Sequence, residues 1–160
     1  MLEIARVRYD DSAHAAALVE LLDAYARDPA GGGEPLSGFA RAHLVAALAQ
    51  RPFIFSVLAL DDGAPVGLVN AIEGFSTFAC RPLVNVHDVV VLASHRGRGI
   101  AARLFAEVEA IARERGACKL TLEVLSGNRV ARGLYEKLGF DDYQLDPAMG
   151  QAQFMQKWLD

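Results

Sequence analysis

The residues best suited to chemistry stand together in one short run, Arg96-Gly97-Arg98-Gly99-Ile100-Ala101. Glycine lets backbone N–H groups approach an anion closely, and a helix starting at this point adds unbonded donors and the positive end of its dipole. Two arginines add permanent charge that can fork onto phosphate oxygens. The run therefore reads as a pyrophosphate cradle. Charge along the chain agrees: Ser94 to Arg132 holds eight basic and four acidic residues, a local +4, while the remainder holds 8 basic and 16 acidic, or −8. An anionic ligand on the first segment and a cationic one near the second are both electrostatically favoured. Arg103, Arg113 and Arg115 suit solvated helix faces equally well. The same glycines offer a rival: Gly97, Gly99 and Ala102 satisfy the dinucleotide pattern G-x-G-x-x-A, with Glu123 as a ribose ligand. Position in the chain excludes it. That fold starts with this unit and continues through further parallel strands, whereas about 95 residues precede it here and about 60 follow.

The cradle needs a strand before it and a helix after it, and the patterning supplies both. Asn85 to Leu92 reads as a strand, and Gly99 to Arg115 as a helix with Ile100, Leu104, Val108 and Ile111 on one face. Upstream, Glu3 to Tyr9 reads as a strand, and Asp11 or Ser12 caps a helix running to about Arg27. Asp28-Pro29 and Gly31-Gly32-Gly33 end it in a loop that either gates a site or simply connects. A second helix, with Phe39, Leu44, Val45 and Leu48, runs from Ser37 to Arg51-Pro52. Phe53 to Leu60 and Pro65 to Phe75 form a hairpin around Asp61-Asp62-Gly63. Downstream, Ala117 to Leu125 is a strand, Asn128 to Leu138 a helix, and the tail from Asp141 to Leu159 suits one or two closing strands.

Composition bounds the molecule that carries these elements. At 160 residues, 52% hydrophobic and 22% charged, the chain is expected to fold as one domain, 1–160, with a sizeable core. A formal charge of −4 argues against a nucleic-acid partner. Cys80 and Cys118 are too few for a disulfide framework and lack zinc spacing, so no metal is expected and a reducing, cytoplasmic location is. No apolar run approaches the ~20 residues that span a bilayer, and the first ten residues lack a leader's apolar region.

From His87 to Phe140 the sequence resembles the GNAT superfamily of acetyl-CoA-dependent N-acetyltransferases. The family loop is Arg or Gln, two residues, Gly, one residue, then Gly or Ala, and Arg96, Gly99 and Ala101 match it. A second family segment is matched by Leu125-Ser126-Gly127-Asn128, Ala131, Leu134, Tyr135 and Leu138-Gly139-Phe140. Two motifs in the right order and spacing are far more specific than either alone. The resemblance implies an α/β (α+β) fold, with a mixed, strongly twisted sheet of about six or seven strands and about four helices, splayed where acetyl-CoA enters between the fourth and fifth strands. It implies that the backbones of Val89, Val90 and Val91 hold the pantetheine and thioester, that Arg96, Gly97, Arg98, Gly99, Ile100 and Ala101 hold the pyrophosphate, and that Asn128 holds the pantetheine arm. Tyr135 matches the family's tyrosine near the thioester sulfur; its plain alternative is a core aromatic.

Acetyl transfer to an alkylamine makes its own demands. The amine, with a pKa near ~10, arrives protonated and must lose a proton before attack. The departing thiolate gains from a hydroxyl donor, and Tyr135 stays protonated at neutral pH. Backbone N–H groups of Val89 to Val91 would stabilise the oxyanion. For the base, the segment is similar to diamine acetyltransferases of the spermidine/spermine type, which carry a glutamate followed by an aspartate; here the pair is His87-Asp88. His87 falls at the glutamate position, and a pKa near ~6.5 suits a base at neutral pH. Alternation puts it on the face of Val89 and Val91, with Asp88 opposite. Asp88 reads as a carboxylate satisfied by backbone donors that could serve if the strand bulges. Glu73 and Glu123 are weaker candidates, and neither cysteine has an adjacent base for a covalent route. The expected function is direct acetylation of a primary amine on a small molecule in a ternary complex. The alternatives are a protein or peptide amine acetyltransferase and a non-catalytic acyl-CoA sensor. A homodimer is expected, with Phe154 and Trp158 at the interface or in the core.

Overall fold

The computed structural model describes residues 1–159, which divide into two compact units, Met1–Leu122 and the segment from Glu123 onward. The first unit holds one sheet whose strand order follows the chain: β1 (Leu2–Arg6), β2 (Ile54–Asp61), β3 (Ala64–Ser76), β4 (Arg81–Val91) and β5 (Leu120–Leu122). The first four pair antiparallel and β5 joins β4 in parallel, so the sheet is mixed. Asp62 and Gly63 make the β2–β3 turn with φ of 50° and 81°, the backbone that matches the twist of a two-residue hairpin. The helices of this unit are α1 (Ser12–Arg27), α2 (Gly38–Ala49) and α3 (Ile100–Glu114), and α4 (Arg129–Lys137) belongs to the second unit.

Each helix begins where its cap stands. Asp11 accepts from the N–H groups of Ala13 and His14 to start α1, Ser37 accepts from Ala40 to start α2, and Asn128 accepts from Ala131 to start α4. At the end of α1, Asp28 is extended because a proline follows, and its carboxylate caps the single turn Pro29–Gly31. The α1–α2 connection is pinned from beneath by Asp23. This buried carboxylate pairs with Arg27 and Arg41 and accepts from the Leu36 N–H at 3.0 Å.

Register assigns the sheet's two faces, because directly opposed residues share a face. Leu58, Leu68 and Val90 pack with Ala17, Leu18 and Leu21 of α1. On the other face Gly67 lies against Leu104 of α3, where a Cβ would come within 3.1 Å of the leucine side chain. The buried α3 stripe of Ile100, Leu104, Phe105, Val108 and Ile111 covers that side. Arg6 of β1 latches onto α3 through Glu107 and Glu114.

Three expectations need correction. The sheet has five strands among the described residues, not six or seven. The strand expected over Ala117 to Leu125 is the three-residue β5: Gly116 turns with φ 73° shortly before it, and its ladder with β4 covers only Val84 to Val86. The tail forms no strand among the described residues; it holds one turn, Pro147–Met149, capped by Asp146, and an Ala152 N–H bond to Tyr143. Its aromatic residues favour a sheet only where a pairing edge exists, and Asp141, Asp142, Pro147 and Gly150 break their alternation.

Asp23 generates a prediction. Arg27 foremost, then Arg41 and the Leu36 N–H, lower its pKa from 3.8 to about 2 against the opposing effect of burial. A depressed carboxylate stabilises the fold above its unfolded pKa and loses that contribution as pH falls through the folded value. Thermal melting should therefore show the wild type losing stability between about pH 4 and pH 2, with Asp23→Asn less stable at neutral pH and flatter across this window.

Candidate functional site

β4 departs from regular pairing at one residue. Asn70 of β3 opposes Asp88 and the next residue, Ala71, opposes Val86, so His87 is the extra, unpaired residue of a β-bulge. It is exposed. The bulge inverts the alternation: Val84, Val86, Val89 and Val91 share the α3 face with Ala71 and Val69, while Asp88 and Val90 face α1 with Asn70 and Leu68. Simple alternation across His87 therefore fails, although Asp88 does lie opposite Val89 and Val91.

The bulge stands where β4 loses its outer neighbour. β5 pairs only with Val84 to Val86, so Val89 to Val91 have no strand on that side among the described residues. The Leu92 N–H bonds the Val66 carbonyl at 2.9 Å, and antiparallel bonding alternates from there. The backbone of Val90 is thereby committed to Leu68, and those of Val89 and Val91 point to the open edge. Of the three valine backbones expected to bind a ligand, two are presented and the middle one is not. The Val91 carbonyl accepts from Arg96 Nε at 3.0 Å, which leaves the Val89 N–H and C=O and the Val91 N–H as the edge's polar groups.

After β4 the chain turns through Ala93–His95 into the expected cradle. Gly97 and Gly99 have φ of 77° and 74°, and Gly99 is the N-cap of α3 with no side chain capping the helix. The first intrahelical bond comes from the Arg103 N–H, so those of Ile100, Ala101 and Ala102 stay unbonded at the positive end of a 15-residue helix. No neighbour lies within 4 Å of a Cβ built on either glycine, so the loop is open. These donors fit an anionic group. The arginines serve otherwise: Arg96 holds Asp28 at 3.1 Å and Arg98 holds Asp61 at 2.9 Å. Arg98 is the main cause that depresses the Asp61 carboxyl, and the Ala30 N–H followed by Arg96 depresses that of Asp28. Arg103, Arg113 and Arg115 are engaged with the Leu2 carbonyl, Glu109, and the Pro52 carbonyl and Glu73.

Asp88 is half-buried, and its donor is a side chain where backbone N–H groups were expected. Asn70 Nδ2 donates to its Oδ2 at 3.0 Å, Ser56 Oγ donates to Asn70 Oδ1 at 2.6 Å, and the Tyr9 hydroxyl lies 3.0 Å from Ser56 Oγ. Tyr25 of α1 senses the same carboxylate, its phenol pushed up by burial first and then by Asp88 and Asp28. Sequence reasoning missed Tyr9, Tyr25, Ser56 and Asn70. Ser56 and Asn70 carried a signal, each a polar residue inside an otherwise apolar strand. Glu73, a weaker base candidate, is bound to Arg115 at 2.9 Å. Both cysteines are free thiols, and no metal-binding group of three or more ligands occurs among the described residues.

The second unit holds the rest of the expected set. Asn128 caps α4 with its Oδ1, and Tyr135 lies two turns along that helix with its ring 6.0 Å from Phe140, edge-on. Glu123 also belongs to this unit.

Residues 15–140 match the Acetyltransferase (GNAT) family. Among characterised and uncharacterised relatives, an uncharacterised N-acetyltransferase of Bacillus subtilis (strain 168), YhfO, is 29% identical over 136 residues, 85% of this chain and 89% of that protein. Thialysine N-epsilon-acetyltransferase of Bos taurus is 34% identical over 68 residues, 42% of this chain and 39% of that protein. Among solved structures, AAC(6')-Iy in complex with the bisubstrate analogue CoA-S-monomethyl-acetylneamine superposes with a TM-score of 0.76 at 21% identity, over 99% of each chain.

The open cradle leads to a prediction about CoA binding measured by calorimetry. Gly99→Val places a β-branched residue at positive φ and should weaken binding by about tenfold or more. Arg98→Gln, which removes a side chain already occupied by Asp61, should change it by less than about fivefold.

Proposed function

Because the chain belongs to the acetyltransferase (GNAT) family and uses acetyl-CoA as its co-substrate, we propose that it transfers acetyl to a primary amine of a small molecule by direct attack in a ternary complex, as one domain. The observation that carries this reading is Asp88, a half-buried carboxylate on the α1 face, one residue from the open β4 edge at Val89. A protonated amine is drawn to such a carboxylate, and Asp28 adds negative charge near Tyr25. A relative named for acetylating the ε-amine of thialysine supports the acceptor class.

The chemistry follows from these groups. Asp88 Oδ2 is tied to Asn70, and Oδ1, which makes no hydrogen bond among the described residues, receives the ammonium. An ammonium has no lone pair, so one proton must leave before attack; a free amine holds it some six pKa units more tightly than an aspartate, roughly 8 kcal/mol, so solvent takes it and the neutral amine that attacks is a minor species. Once that nitrogen bonds to the acyl carbon its remaining N–H becomes far more acidic, and Asp88 accepts this second proton. The Val89 and Val91 N–H groups stabilise the oxyanion, and the unbonded donors of Ile100 to Ala102 hold the pyrophosphate. The resemblance of Leu125 to Phe140 to the family's second motif supports giving Asn128 the pantetheine arm and Tyr135 the hydroxyl proton that meets the leaving thiolate. His87 is exposed on the bulge, and this reading gives the base's part to Asp88 instead. The two free thiols support a reducing, cytoplasmic location, and the exposed apolar tail residues Leu145, Phe154 and Trp158 support a homodimer.

A thiol-release assay with acetyl-CoA and a panel of diamines, amino acids and aminoglycosides tests the function. At least one amine should raise release above the hydrolytic background; acetyl-CoA binding with no response to any amine or peptide would assign a sensor instead. In the same assay Tyr135→Phe should lower kcat about 100-fold with the CoA dissociation constant unchanged. Asp88→Asn should lower kcat/KM for the amine by at least about 100-fold and His87→Gln by less than about fivefold, and the reverse order would restore His87 as the base.

A further inference from the structure

We propose that Tyr9, Ser56 and Asn70 are positioning residues that align Asp88 for the acceptor amine, an inference that rests on the reading of Asp88 given above. The three residues reach Asp88 across the sheet. Tyr9 follows β1, Ser56 opposes Asn70 in the β2–β3 register, and Asn70 opposes Asp88 in the β3–β4 register, so one polar row crosses the α1 face. Around it that face is apolar: Leu18, Leu21, Leu58, Leu68 and Val90 are all buried. Ser56 and Asn70 are buried too, at 2% and 6% exposure. Replacing a buried hydrogen-bonded pair by apolar groups of similar shape is often neutral or stabilising, so packing alone does not call for this row.

The row has a direction, and the charge of Asp88 sets it. Turned over, the Asn70 amide would face the carboxylate with Oδ1, two acceptors with no proton between them. Nδ2 therefore donates to Asp88 and Oδ1 must accept. Ser56 has one hydroxyl proton and gives it to Oδ1 at 2.6 Å. Tyr9, 3.0 Å away, donates in turn to Ser56 Oγ. Burial keeps the Tyr9 phenol protonated, above its ordinary range, despite the bond to Ser56. Every donor points along the row toward Asp88, and aligned bonds of this kind polarise one another in a low-dielectric interior. The row thus stabilises the negative carboxylate and fixes its rotation, with Oδ2 held and Oδ1 presented.

The test is a set of mutant cycles on the full chain, read as kcat/KM for the best amine under single-turnover conditions with enzyme in excess, together with the CoA dissociation constant. Ser56→Ala should lower kcat/KM by about threefold to tenfold and Asn70→Ala by about tenfold to 100-fold, the ranges for a neutral bond and for one to a charged group. CoA binding should stay within twofold for both, and Ser56→Thr, which keeps the hydroxyl, should recover most of the loss. In an Asp88→Asn background Ser56→Ala should add less than twofold. If its loss recurs in full there, or if CoA binding falls in parallel, the residues only hold the sheet and the proposal is overturned. Tyr9→Phe, which removes one hydroxyl at the row's far end, gives the same cycle should Asn70→Ala fail to fold. An active wild type with additive cycles overturns the positioning role alone, whereas a wild type inert with every amine overturns the functional reading and this inference with it.

Discussion

The extra residue at His87 is the constraint on which the site depends. A regular strand sends alternate residues to opposite faces without exception. β4 has to cover α3 with Val84 and Val86 in its first half, where β5 is its neighbour, and then face α1 with Asp88 and Val90 in its second half. One inserted residue lets a single strand meet both demands. The same insertion falls at the point where β5 ends, so the inverted segment coincides with the segment whose outer edge is open. Side-chain polarity toward α1 and backbone polarity toward the edge therefore arise within a few residues, Asp88 to Val91, and neither needs a loop to position it.

Electrostatics in this molecule are divided between fixing loops and leaving donors exposed. The local excess of positive charge from Ser94 to Arg132 invites the idea that arginines grip an anion directly. In the fold Arg96 and Arg98 bind Asp28 and Asp61, and Arg96 also ties its loop to the Val91 carbonyl. The guanidinium groups shape the turn, and the N–H groups at the start of α3 stay unbonded, open to an anion. Backbone donors suit this role because their direction is set by the helix and they lose no side-chain entropy on binding. Arg96 has a further consequence: by holding Asp28 it connects the loop before α3 to the turn after α1.

Much of the fold is legible in the sequence wherever a signal is local. Caps at Asp11, Ser37 and Asn128, the Asp62-Gly63 turn and the apolar stripe of α3 are decided by a few neighbouring residues, and the elements they announce are present. Sequence patterns mislead where the deciding partner lies far away along the chain. The bulge at His87 exists because of register with β3 and leaves no mark in its own segment. The partner of Asp88 is Asn70, and those of Arg96 and Arg98 are Asp28 and Asp61, separations that no spacing rule reaches. In the tail, β-prone composition suggests strands, yet composition does not specify a pairing edge. Ser56 and Asn70 are the readable exceptions, polar residues interrupting apolar strands.

Those interruptions bear on how stability and chemistry are shared across the sheet. The α1 face carries apolar side chains at Leu58, Leu68 and Val90, and it could be apolar at Ser56 and Asn70 as well. Such a face would leave Asp88 half-buried with no donor, an arrangement that drives a carboxyl toward its neutral form. Supplying one donor is not enough, because Asn70 brings an acceptor that must itself be satisfied, and the serine that satisfies it brings a lone pair that needs Tyr9. Each polar group thus requires the next, until the row reaches a tyrosine at the margin of the sheet. Giving one half-buried carboxylate a donor beside the open edge commits three further residues on three other segments of the chain, and this accounts for polarity in the middle of strands that are otherwise built for the core.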